Sequence, residues 1–361
     1  MSSSNHDTLS VSASPAPRLS PFPQEILERI LGHADQRTCV TCVRVNSAFY
    51  DACIRQVYTI VKMFPKSRTV ALPLSGQHAT TLANYVWLLD ISGDLNGSCI
   101  AAVRYPPPMP NRRTIRLCAA VSPRLVKVND SVWGGITQLR PHTLVTRDRA
   151  GAPNVSRVPG GPYPWFFKHG TTVASVLQVC KFVCVLDEGL SFSDSTLCFL
   201  SHDMPVRSLE SFTFVFWTKS RNQPWHWSAR NPGGPGNWYP MFQVLIDLLL
   251  CQPATEGRPL LTIVNAGAIP HLGFIGIPSV GGIPSETLTS QQRATKFETD
   301  LKGGFNYTCD YYEAGRQHMF AGGWHASIRD RQHHIRSLTM DEFLAEDNGE
   351  AFDEGELAGW R

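Results

Sequence analysis

Short β-prone apolar runs, set apart by Gly- and Pro-rich breaks, recur through most of this chain and constrain its fold more than any other feature. Val86-Trp87-Leu88-Leu89-Asp90-Ile91 and Thr114-Ile115-Arg116-Leu117-Cys118 read as buried strands, and Thr143-Leu144-Val145 as a shorter one. Phe182–Leu186, Phe212–Phe216 and Leu260–Val264 follow with the same β-branched and aromatic bias. Between them lie helix candidates at Thr171–Cys180, Asp194–Leu200 and Trp238–Cys251; in the last, Phe242, Leu245, Leu249 and Leu250 fall on one face. Pro/Gly-rich loops are expected at 104–113, 149–164 and 228–240.

Strand centres recur about every 28–30 residues in three intervals, with two longer gaps that insertions would explain. That rhythm fits a solenoid of strand–helix units. The asparagine ladder and regular Leu-x-x-Leu-x-Leu frame of a leucine-rich repeat are not evident, so an ordinary α/β domain with irregular connections is the alternative. The expected fold class is α+β or α/β, with an irregular, degenerate leucine-rich-repeat-like domain over 64–338.

Composition supports a packed core: 42% of the 361 residues are hydrophobic and only 17% charged. The formal net charge of +3, without a clustered basic patch, gives no reason to expect a nucleic-acid partner. No apolar run approaches the roughly 18 residues needed to span a bilayer, and Asp347, Glu350, Asp353 and their neighbours make 339–361 an acidic segment, expected to be a frayed, solvated tail. A short helix is expected at Asp341–Ala345. Residues 1–18, rich in Ser, Pro and Ala, read as a disordered leader without the pattern of a secretory signal. Ten cysteines in such a chain are expected to stay reduced, in the cytoplasm or nucleus.

Residues 19–63 read differently, as a compact helical segment. Pro23 suits a first helical turn, Glu25 complements the helix dipole, and Ile26, Leu27, Ile30 and Leu31 form one apolar stripe. Asp35 can cap a second helix carrying Cys39, Cys42 and Val43; Asn46 or Ser47 can cap a third carrying Phe49, Ala52, Cys53 and Val57. A motif of about 40 residues buries little surface alone, so part of its wide stripe should face a partner or the next domain.

Phe22-Pro23-x-Glu25-Ile26-Leu27-x-x-Ile30-Leu31, followed by Cys42-Val43-x-Val45-x-x-x-Phe49 and then Tyr58, resembles an F-box. The layout, with its Ser/Pro leader and weakly repetitive remainder, is similar to that of F-box proteins of mushroom-type fungi. Phe22 stands where the family usually has Leu, and Ala34–Thr38 lacks the usual Asp-Leu-Leu start of the second helix. The resemblance implies that Phe22, Pro23, Ile26, Ile30, Val45 and Phe49 meet a Skp-family adaptor joined to a cullin–RING ubiquitin ligase. The remainder would then capture an unidentified substrate protein, and the chain would be a non-catalytic adaptor needing no cofactor.

Other chemistry is weaker. Cys39-x-x-Cys42 is half a zinc spacing without a second pair, and His333-His334 among arginines reads as a basic surface loop. No Gly-x-Ser-x-Gly, Gly-Lys-Ser/Thr, His-Glu-x-x-His or post-strand Gly-x-Gly-x-x-Gly pattern occurs. Trp217, Trp225, Trp227 and Trp238, on a Gly/Pro-rich frame, are candidate substrate-recognition anchors, or stacking platforms for sugars, or a hydrophobic lid. A stand-alone protein-interaction or carbohydrate-binding module, with the N-terminal helices as a structural cap, is the alternative function.

Overall fold

The computed structural model describes residues 23–63, 79–92, 109–118, 140–148, 178–188, 209–221, 223–225, 245–246, 249, 261–269, 288–315, 326–346 and 348–360. The chain divides into two compact units, residues 1–57 and 58–361. The leader, Phe22, Trp227, Trp238, the helix candidate at Asp194–Leu200 and the loops at 149–164 and 228–240 lie outside the described residues.

The first unit holds three helices, α1 (Gln24–Leu31), α2 (Gln36–Cys42) and α3 (Ser47–Thr59). Their caps are encoded locally. Asp35 Oδ1 accepts from the Thr38 amide at 2.6 Å, and Asn46 Oδ1 from the Phe49 amide at 3.0 Å, each meeting a helix-start donor that has no intrahelical partner. The interior gathers Leu31, Cys39 and Cys53, with Ala34, Cys42, Val43, Phe49, Ala52 and Val57 packed around them. Gln56 Nε2 donates to the Ala34 carbonyl at 2.6 Å and Gln36 Nε2 to the Val57 carbonyl at 2.8 Å, tying the helices together.

In the second unit β1 (Ile60–Met63), β2 (Leu88–Ser92), β3 (Thr114–Cys118), β4 (Thr143–Asp148), β5 (Lys181–Asp187), β6 (Ser211–Trp217), β7 (Leu261–Val264) and β8 (Ile335–Leu338) form one parallel sheet in strictly sequential order. A short helix, α4 (Ala79–Ala83), precedes β2. Six of these strands coincide with the β-prone runs of the sequence. Ile60–Met63, expected to close the helical segment, is instead the first strand, and β8 follows a 3-10 helix at Ala326–His334 where a surface loop was expected.

Strand alternation sorts the sheet into two faces. Leu89, Ile91, Ile115, Leu117, Leu144, Phe182, Cys184, Leu186, Phe212, Phe214, Phe216 and Ile263 point to one face and are buried. Together with the buried residue two positions before β2, β5 and β6, the register exposes a repeated frame: Val86-x-x-Leu89-x-Ile91, Val179-x-x-Phe182-x-Cys184 and Leu209-x-x-Phe212-x-Phe214. The strand entries repeat as well. The carbonyls of Trp87, His142 and Cys180 each accept two amides from the start of the next strand.

Behind β7 the chain turns at Asn265, in the left-handed region at φ 63°, where its side chain donates to the Phe216 carbonyl at 2.8 Å and its amide to the Leu338 carbonyl at 2.9 Å. The turn docks on α5 (Ser290–Gly315), whose start carries a reciprocal Thr289–Gln292 capping box. Gly267 is required here: a Cβ would stand 2.3 Å from the Ser290 carbonyl oxygen. Phe297, Leu301, Phe305 and Cys309 run down α5 as a fully buried stripe. Leu245, Ile246 and Leu249, from the helix expected at Trp238–Cys251, are helical and buried.

The acidic C-terminal segment is not a frayed, solvated tail. It forms α6 (Met340–Ala345), a 3-10 turn at Gly349–Ala351 and α7 (Glu354–Trp360), and buries Met340, Phe343, Ala351, Phe352 and Trp360. The reason lies in the second sheet face, where Val145, Val183, Val185, Val215, Trp217 and Val264 need a cover and this segment supplies it.

Candidate functional site

Two surfaces stand out, one in each unit. On α1, Leu27 and Leu31 turn inward at 3% and 6% exposure, whereas Ile26 and Ile30 turn outward at 45% and 55%. The same helix therefore seals one half of its stripe and leaves the other half to solvent. Val45, in the turn after α2, is 63% exposed, and Val40 and Tyr50 are exposed too. Pro23 is exposed beside the helix start, where its carbonyl accepts the Ile26 and Leu27 amides. Phe49 differs from the other expected partner residues: it is half-buried and packs on the Leu31–Cys39–Cys53 interior.

The thiols of this unit are structural. Burial pushes the Cys53 thiol up to about 12 and raises that of Cys39, whose Sγ donates to Gln56 Oε1 at 3.2 Å. Protonated thiols are poor nucleophiles and poor metal ligands at neutral pH.

The second surface is the covered sheet face. Its rungs carry Lys62, Asp90 and Arg116 side by side on β1, β2 and β3, then Thr143 and Lys181 one rung earlier on β4 and β5, and Arg147 one rung later on β4. Asp353 accepts from Arg116 Nη1 at 2.8 Å and Lys62 Nζ at 2.9 Å; Arg116 also reaches Asp90 at 3.4 Å and the Glu350 carbonyl at 2.9 Å. Glu350 accepts from Thr114 Oγ1 at 2.8 Å, Glu356 pairs with Arg147 at 2.6 Å, and Lys181 bonds Asn348. Arg336 holds Glu346 with two hydrogen bonds, at 2.8 and 2.9 Å. Burial alone would raise the Asp353 carboxyl, but the hydrogen bond from Lys62 and the Arg116 charge outweigh it and hold the group below the usual carboxylate range.

Of the two described tryptophans among the candidate anchors, Trp217 lies under the C-terminal segment and Trp225 packs on the opposite sheet face. Trp217 is 4% exposed and stacked on Phe352, ring centres 4.3 Å apart, with the Arg147 guanidinium 5.3 Å from its ring. Trp225 is fully buried, edge-on to Phe216, and donates from Nε1 to the Leu186 carbonyl at 3.0 Å. Both side chains are buried and not open to a substrate or a sugar in this structure. The basic ladder under the C-terminal segment was missed in the sequence, although charged residues inside apolar strands, opposite an acidic terminus, carried the signal.

No family model and no solved structure matches the chain. Over 74 residues, a fifth of the chain, it is 34% identical to the F-box protein COS111 of Yarrowia lipolytica (strain CLIB 122 / E 150). The match spans 13% of that relative's length. Among the described residues no helix is long and apolar enough to cross a membrane.

Proposed function

We propose that this chain is an F-box-type substrate adaptor, whose α1–α3 unit docks on a Skp-family adaptor and whose sheet-bearing unit recruits a protein to a cullin–RING ubiquitin ligase. The observation that carries this reading is the division of α1: Leu27 and Leu31 are buried, Leu31 in the interior with Cys39 and Cys53, while Ile26 and Ile30, with Val45, remain open. A monomeric unit gains nothing from such a stripe, and an apolar patch rimmed by polar residues fits a protein partner. The partial similarity to an F-box protein supports the same assignment.

The sequential parallel order, the repeated apolar frame and the repeated strand entries support a solenoid of leucine-rich-repeat type for the second unit. In this reading the chain needs no nucleophile or cofactor. It raises the effective concentration of substrate lysines near the ubiquitin-charged enzyme, and contact, not chemistry, is its contribution. Cys39, Cys42 and Cys53 form no disulfide, which fits a reducing compartment such as the cytosol or nucleus.

Co-purification of the full chain with a Skp-family adaptor tests the assignment. Replacing Pro23 and Ile26 by charged residues abolishes the association while the thermal melt of the second unit is unchanged. Association that survives both changes refutes the assigned surface.

A further inference from the structure

The acidic C-terminal segment touches the sheet the way a bound peptide touches a receptor. Its backbone-to-backbone hydrogen bonds are local, Phe343 to Thr339, Glu346 to Glu342, Ala351 to Asn348 and Leu357 to Asp353, so the segment adds no strand to the sheet. What joins it to the face is side-chain chemistry: Asp353 on Lys62 and Arg116, Glu356 on Arg147, Phe352 on Trp217, and the Trp360 indole donating to the Thr218 carbonyl at 2.7 Å. The segment carries carboxylates and no Lys or Arg, while the face it meets offers Lys62, Arg116 and Arg147; Asp90 and Asp187 on neighbouring strands share the two arginines with it.

The fit also leaves room. A cavity of about 460 Å³ opens between Trp217, Glu188 and Lys219 on the sheet side and Glu356 on α7, and a second of about 200 Å³ lies among Lys181, Thr213, Thr262, Arg336 and Asn348. A Cβ added at Gly355 would meet nothing within 4 Å.

We infer that this sheet face is a receptor surface for acidic segments with aromatic anchors, and that residues 340–360 are its resident occupant. A partner bearing carboxylates spaced like Glu350, Asp353 and Glu356, with an aromatic side chain for Trp217, displaces the resident segment and fills the space it leaves. The inference rests on the sheet and its cover and not on the ligase assignment; its test needs no ligase component, so the two fail separately.

The test uses the full chain with a specific protease site inserted after Glu346. After cleavage, a fluorescein-labelled synthetic peptide of residues 347–361 exchanges into the folded protein, read by anisotropy, while the circular dichroism of the sheet is retained. Reversing two charges in the peptide, Asp353→Lys with Glu356→Lys, weakens it on the order of a hundredfold. The uncut wild-type chain excludes the labelled peptide, because its tethered copy competes at high effective concentration. An uncut chain carrying the same two reversals admits the wild-type peptide. A cut chain that unfolds or precipitates, a labelled peptide that fails to enter the uncut reversed variant, or equal binding of wild-type and reversed peptides overturns the inference and makes the segment a fixed roof.

Discussion

The stripe on α1 and the inner face of the sheet start from the same physical problem and end in opposite states. Each carries aliphatic side chains beyond what its own layer can bury. On α1 the surplus, Ile26 and Ile30, stays in solvent at 45% and 55% exposure; on the sheet, Val145, Val183, Val185, Val215 and Val264 are sealed by the C-terminal segment. Hydrophobicity therefore does not distinguish an open face from a core in this chain. What distinguishes them is whether another part of the same chain brings matching apolar and charged groups to the face.

The comparison breaks most readily at Phe352. Phe352→Ala removes the ring stacked on Trp217 and should cost about 3–5 kcal/mol in urea unfolding, as for a core aromatic; a loss under about 0.5 kcal/mol would make the cover superficial. Next in size is the contrast within α1. Leu27→Ala should destabilise the first unit by about 2–5 kcal/mol, while Ile26→Ala stays within about 0.5 kcal/mol of wild type in the same melts. Equal effects would mean that the stripe is not divided.

Smaller again is the cap of the covering segment. Thr339 accepts the Glu342 amide at 3.2 Å while Glu342 accepts the Thr339 amide at 2.7 Å, and Thr339→Ala should cost about 1 kcal/mol. The acid response sharpens the electrostatic half of the contrast. Because the folded Asp353 carboxyl titrates below its unfolded value, its contribution is complete above about pH 4 and is lost as the pH falls through the folded value. Trp217 and Trp360 fluorescence should follow that loss, and Asp353→Asn should remove this component of the transition. Finally, Cys39 and Cys53 should resist a thiol reagent at about pH 8 until denaturant is added, since burial raises both.

Local physics was readable from the residues and distant pairing was not. Six strands declared themselves because each is a short, nearly continuous β-prone run, and Asp35 and the Asn46-Ser47 pair declared their helices because capping acts within three residues; of that pair Asn46 accepts the amide. Ile60–Met63 was hidden because α3 runs into it without a Gly or Pro between, and Ile335–Leu338 because Arg336 and Ser337 dilute its apolar signal. The long α5 escaped notice behind Gly303 and Gly304, although Phe297, Leu301, Phe305 and Cys309 recur every fourth residue. The apolar frame of the repeats becomes visible only in register, since Phe, Val, Ile and Cys stand in positions where a Leu pattern would be sought.

The C-terminal segment is the clearest case of nonlocal information. Asp353 finds Lys62 across 291 residues of sequence and Arg116 across 237, so a composition that reads as a solvated tail hides a set of ion pairs. The same distance explains the tryptophans. Trp217 and Trp225 sit among Pro and Gly as exposed anchors would, yet Phe352 covers one and the Leu186 carbonyl receives the indole of the other.

Hydrogen–deuterium exchange of the full chain, with and without a purified Skp-family adaptor, tests the central contrast in one measurement. The account predicts that added adaptor slows exchange over residues 23–50, around Ile26, Ile30 and Val45, and leaves the eight strands and residues 340–360 at the rates of the free protein. Protection that falls on the strands or the C-terminal segment, or no protection anywhere, would contradict it.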